Sequence, residues 1–236
     1  MTRRLLRSIL LCGILAAAGI QNLEASSYEV NVGEFNRLKV CDSINVTYIR
    51  TPQDDCSGVV RFEASEPITD AFIFTNKNGE LKIQVATDYA SRTDLPALTI
   101  NSVFLTSAVN EGKGNVAIKD VAPCSEFKMK VIGNGKITAH GIQSTTCSIT
   151  LETGCGTLVA EGTARTAKIK LVGTGTIQAD KLAANTVDCS IMGSGSIGCR
   201  PLENLNVKGV GSTKIYYSGS PEIKKRGGGT LIPLDE

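Results

Sequence analysis

The chain has 236 residues, with 25 Lys+Arg against 23 Asp+Glu, one His, eight Cys and no Trp. Residues 1–25 hold Arg3, Arg4, Arg7 and Glu24, so without them the balance is 22 against 22 and the remainder is formally neutral. A neutral chain lacks the basic excess that nucleic acid or an anionic membrane requires, so neither is expected as a partner.

Residues 1–25 read as an export signal. Arg3, Arg4 and Arg7 form a positive start, Leu5 to Ala18 is almost wholly apolar, and small residues come after it. Cleavage could follow Ala18 or Ala25, with Ala25 preferred. The apolar run is shorter than the ~20 residues of a membrane span, and no later stretch resembles one. Cys12 as a lipid-modified cysteine is a weaker reading, because Leu11 is large and the apolar run continues past it. The expected location is therefore the periplasm or the outer cell surface.

Residues 28–105 are β-like without a long period. Phe35 to Val40 and Ile44 to Ile49 alternate apolar with polar residues. Residues 51–55 form a turn cluster. Val59 to Ala64 and Leu81 to Val85 read as strands, the latter opened by Asn78-Gly79, a hairpin signal. Asp88 to Asp94 reads as a loop. This region is expected to cap the C-terminal part of the chain, since an open coil end would expose apolar side chains and unpaired backbone.

Residues 106–232 are expected to be a repeat, clearest from Ser125 to Ile197. Phe127, Cys147, Ala167 and Val187 stand 20 apart, and so do Met129, Ile149, Ile169 and Cys189. A glycine doublet closes each unit: Gly133 and Gly135, Gly154 and Gly156, Gly173 and Gly175, Gly193 and Gly195. Gly112 and Gly114 read as a degenerate earlier doublet, and Gly209 and Gly211 as a later one. The second copy carries one extra residue before its doublet. Period two within the unit makes strands with one buried face, and glycine suits the corners. A strict period of this length means stacked copies of one unit. The predicted fold is all-β: a right-handed parallel β-helix, or β-solenoid, with ~20-residue coils. Lys224-Lys225-Arg226 near the end read as a solvated face that blunts an exposed edge.

The glycine-doublet repeats, the Phe35-x-x-Leu38-x-Val40 start with Ile44-x-Val46, and the closing stretch from Ile215 to Pro221 resemble the head GIN domain. That family comprises Bacteroidetes envelope proteins labelled auto-transporter adhesins. The resemblance spans roughly residues 30–225. It implies a β-helix-like fold at the cell envelope and no catalytic residues. An autotransporter's C-terminal membrane barrel has no counterpart before Glu236, so "adhesin" is carried by the label alone.

Few residues here suggest chemistry. Gly193 to Gly198 fits G-x-G-x-x-G, but Cys199-Arg200-Pro201 comes next, where a dinucleotide site needs a helix. His140 ends a strand, its copies are Glu161, Asp180 and Arg200, and it reads as a surface residue. Seven cysteines lie beyond residue 25. Cys147, Cys189 and Cys199 occupy positions otherwise apolar, so buried free thiols are expected. Cys41–Cys56 is the one disulfide worth testing, because both flank a predicted hairpin. No cofactor or metal is expected. Outward acids do not stack in adjacent coils. The ladder 128, 148, 168, 188 reads Lys, Ser, Lys, Asp and the ladder 130, 150, 170, 190 reads Lys, Thr, Lys, Ser.

These features support two functions. The first is a non-enzymatic exported envelope protein whose solenoid presents a surface for adhesion or assembly, its partner an envelope protein or a glycan. The second is a glycan-binding or polysaccharide-processing β-helix, for which Asp88, Arg92 and Asp94 are the candidate cleft residues. A membrane barrel is excluded by the missing aromatic girdles and by strands shorter than ~9–11 residues. Oligomeric state is not legible.

Overall fold

The computed structural model describes residues 26–51, 57–64 and 68–234. The export signal, Cys12 and Cys56 lie outside these residues. The described chain is all-β, with 3₁₀ turns at Thr69–Ala71 and Thr87–Tyr89 and a parallel β-solenoid of about six turns with ~20-residue coils.

The repeat becomes a set of bent ribbons. β10 (Cys124–Ile132) leads through Gly133-Asn134-Gly135 into β11 (Lys136–Glu152). Next come β12 (Thr157–Gly173), β13 (Thr176–Gly193) and β14 (Ser196–Gly211). The start of each long strand stacks in one ladder, where Ile137 pairs with Leu158 and Leu158 with Ile177. Its end stacks in a second ladder, where Met129, Ile149, Ile169 and Cys189 are in register. The apolar half of each alternation points inward and is buried, as at Ile149 and Leu151, while Ser148 and Thr150 face out. Burying one such Leu or Ile contributes about 1.5–3 kcal/mol, and β-branched side chains suit the pleated ladder.

The two glycines of a doublet serve different needs. Gly173 sits at φ +118°, a conformation that costs an L side chain. Gly175 has no such φ, but a Cβ there would run into the Gly156 carbonyl oxygen of the coil below. That closeness lets Thr176 N–H donate to the Gly156 oxygen at 3.0 Å, continuing the ladder through the corner. The extra residue of the second copy is absorbed at Thr153, which takes φ +60°.

The last doublet departs from the sequence reading. Gly211, not Gly209, pairs with Gly193, and Gly209 pairs with Ile191 inside the strand. Leu205 pairs with Val187 only 18 positions back, because the register shifts by three residues between Ala179 and Ala183 and back by one between Ala184 and Thr186. The corner is thus Gly211-Ser212-Thr213. The Thr213 hydroxyl donates to the Gly193 oxygen at 3.0 Å where the other coils have a second glycine.

Coil order in space differs from chain order. β2 (Arg37–Val40) and β3 (Val46–Arg50) form a coil between that of β6 (Glu80–Val85) and β7 (Leu98–Ser102) and that of β8 (Ser107–Asn110) and β9 (Asn115–Ile118). β8 and β9 then pair with β10 and β11. Part of the 28–105 region therefore lies inside the stack rather than on its end. The end itself is closed by antiparallel strands: β1 (Ser26–Asn31) on β4 (Val59–Ala64), β4 on β7, and β5 (Phe72–Lys77) on β6. Phe62 stacks on Tyr28 at 5.2 Å and meets Phe72 edge-on at 5.3 Å. At the other end, β15 (Lys214–Tyr217) carries β17 (Thr230–Pro233), and β14 carries β16 (Glu222–Gly227). Among the described residues nothing pairs beyond β16 and β17. Lys225 stands in the inward row above Val207, and Ile223 stands above Leu205.

Buried polar groups are few and specific. Asn110 occupies an inward position held by Val131 and Leu151 in later coils. Its amide donates to the oxygens of Gly114 (2.8 Å) and Lys136 (3.1 Å), and it accepts from Gly112 N–H (2.9 Å). The residue thus folds the degenerate corner and ties it to the next coil.

Candidate binding faces

The face formed by β10 and its copies carries a continuous cationic row. In spatial order it reads Lys82, Lys39, Val109, Lys130, Thr150, Lys170, Ser190, Lys208 and Arg226. Six cations and no acid share this row, and alternate strands place Lys130, Lys170 and Lys208 about 10 Å apart. Acids approach only from its flank. Glu152 spans two coils, 2.8 Å from Lys130 and 3.4 Å from Lys170, and Glu111 lies 2.8 Å from Lys39. The Lys130 hydrogen bond, with Lys170 helping, holds the Glu152 carboxyl below the usual range. The hydrogen bond to Glu111 raises the Lys39 ammonium. Lys208 and Arg226 make no ion pair among the described residues.

Beside this row runs an apolar rim. Val172, Met192 and Val210 are in register on successive strands, with Met192 61% and Val210 63% exposed. Together with Lys170, Ser190 and Lys208 they line a shallow groove of about 340 Å³. Cations beside exposed apolar side chains can hold an anion next to a hydrocarbon.

The second charged feature lies on the opposite ladder's edge. His140 Nδ1 is 2.8 Å from Glu161 Oε2, and Lys181 Nζ is 3.4 Å from Glu161 Oε1. The hydrogen bond to His140 holds the Glu161 carboxyl below its ordinary range. An open depression of about 210 Å³ adjoins Glu161, Asp180 and Lys181. Asp180 does not stand over Glu161: a register shift puts Lys181 there instead. His140 has no nucleophile beside it, so the edge is an ion-pair chain.

The remaining sequence candidates disperse. Arg92 and Asp94 clamp each other at 2.9 and 2.6 Å on the loop after β6, while Asp88 lies in the 3₁₀ turn before them. Gly193 and Gly195 form a coil corner leading directly into β14, without a helix. Cys41 is a buried free thiol whose Sγ is 3.7 Å from Glu111 Oε2. Cys147 is buried, which pushes its thiol up to about 12. Among the described residues no group of three or more His, Cys, Asp or Glu is placed to hold a metal ion. No described helix is long and apolar enough to cross a membrane.

Sequence reasoning found the segment of the cationic row from Lys130 to Ser190. It missed Lys39 and Lys82, because the coil of β2 is inserted out of chain order and breaks the 20-residue count. It also missed the Val172–Met192–Val210 rim, whose members read as ordinary strand residues.

The fold and these faces define a class: a β-solenoid with stacked outward ladders and no assembled catalytic cluster among the described residues. The chain belongs to the family described as "Putative auto-transporter adhesin, head GIN domain", which matches residues 34–221. A "putative adhesin" from Bacteroides fragilis is similar in structure, with TM-score 0.78, 22% identity and coverage of 89% of this chain and 97% of that one. A "putative lipid binding protein" from Parabacteroides distasonis has TM-score 0.68 and 21% identity, covering 91% and 98%. A "putative adhesin" from the same organism has TM-score 0.70 and 20% identity, covering 89% and 97%. No curated protein matches the chain.

Proposed function

We propose that this is an exported, non-enzymatic envelope protein of adhesin type, using its cationic ladder face to bind an extended anionic glycan. The observation that carries this reading is the row of six cations without an acid, spaced to meet charges repeated along a polymer. The family's adhesin description supports the location. Arg92 and Asp94 clamp each other rather than lining a cleft with Asp88, which favours binding over polysaccharide cleavage. Aromatic platforms for stacking neutral sugars are lacking on this face, so charge is the recognition element.

The test is a glycan array probed with residues 26–236 and with a K170E/K208E variant. The expected result is saturable binding to acidic glycans, weakened by added salt and lost in the variant. Binding to neutral glycans that survives both substitutions would remove this face from the mechanism.

A second reading rests on the Val172–Met192–Val210 rim beside Lys170 and Lys208, together with the fold neighbour described as lipid binding. In this reading the ligand is an anionic amphiphile. Flotation with vesicles containing an anionic lipid, impaired by M192E, would favour it over the polymer.

A further inference from the structure

The coil spanning Val187 to Cys199 differs inside from the coils stacked on it. In the three preceding coils, one ladder carries a large buried residue (Met129, Ile149, Ile169) and the other a buried alanine (Ala139, Ala160, Ala179). Here the two positions are Cys189 and Cys199, in register with Ile169 and Ala179. Both are free thiols about 1% exposed, and the neighbouring Cys199 side chain, with burial, raises the Cys189 thiol. Two medium side chains replace one large and one small, with one heavy atom fewer. Packing alone does not require both positions to become thiols. Cys199 Sγ also lies 3.6 Å from the Tyr216 oxygen, which orients it in the core.

We infer that Cys189 and Cys199 are a disulfide site, closing a covalent staple across one coil around the Gly193–Gly195 corner. The reaction is thiol–disulfide exchange with a small disulfide oxidant such as oxidised glutathione. One cysteine thiolate attacks the oxidant, forming a mixed disulfide and releasing one thiolate. The second cysteine, deprotonated in turn, attacks the mixed disulfide and releases the other. The protein loses two hydrogens, and the oxidant leaves as two reduced thiols. The neighbouring Cys199 side chain and then burial raise the Cys189 thiol, and burial shuts out the oxidant, so the step belongs to the folding chain. The native contact then selects this pair. The inference holds wherever folding meets such an oxidant and does not depend on the glycan reading.

The full mature chain is refolded from urea with oxidised glutathione, alkylated under denaturing conditions and digested with trypsin. Both cysteines fall in one peptide, residues 182–208, because Arg200 precedes Pro201. The expected result is that this peptide is lighter by two hydrogens and carries no alkyl group, while Cys147 is alkylated. The oxidised protein should also unfold at a higher urea concentration than the reduced one, a difference abolished in C199A. That variant restores the alanine of neighbouring coils and is expected to fold. A natively folded product with both cysteines alkylated, or Cys189 linked to another cysteine, would overturn the inference.

Discussion

At the scale of single residues, the corner glycines separate two physical demands that the sequence writes with one letter. Gly133 has φ +98° and nothing within 4 Å of where its Cβ would lie, so Gly133→Ala carries backbone strain of about 1–2 kcal/mol. Gly175→Ala has no such strain, but it pushes the coil off the Gly156 carbonyl and disturbs the hydrogen bond to Thr176. It is expected to be the more damaging, by about 2–4 kcal/mol, which urea midpoints at constant slope would measure. Asn110 makes a comparable case. Asn110→Ala leaves the Gly112 N–H and the Gly114 and Lys136 oxygens without that partner, at a cost of about 1–3 kcal/mol per stranded group. Replacement by leucine, the residue of the 151 position, should not rescue it.

At the scale of the ladders, charge is arranged across strands rather than along them. Glu152 serves two lysines on neighbouring strands, and its carboxyl is held below the ordinary range by Lys130 and then Lys170. A depressed carboxylate pKa gives stability that is complete above the unfolded value and lost as pH falls through the folded one. The stability difference between the native chain and E152Q should therefore be steady near neutrality and shrink below about pH 4. Urea unfolding at a series of pH values measures it. A difference that grows on acidification would contradict the assignment. The same sign applies to Glu161 with His140 and Lys181.

At the scale of the molecule, the two ends are finished differently. Antiparallel strands and the Tyr28–Phe62–Phe72 cluster close one end. The coil of β16 and β17 at the other has strand edges unpaired among the described residues, with Lys225 placed where an apolar residue would extend the core. An inward charge on an edge strand discourages a further strand from adding. Lys225→Val is expected to leave the fold intact and to produce concentration-dependent association, visible by sedimentation velocity. An unchanged monomer–oligomer distribution would assign Lys225 no such role.

The 20-residue period, the alternation within it and the glycine doublets determined the solenoid, because stacked identical positions must share one environment. The alternating lysine and hydroxyl ladders from 128 to 190 were legible for the same reason. Three things escaped. The period could not show that β2 and β3 sit between later coils, since that order depends on the antiparallel cap turning the chain back. It put a corner on Gly209, only 16 residues after Gly193, because two register shifts between Ala179 and Thr186 take a net two residues out of the stack. It could not join Lys39 and Lys82 to Lys130, nor set the Cys189 thiol against Cys199. Local pattern determines which way a side chain faces; which strand lies beside it is decided only when the coils close.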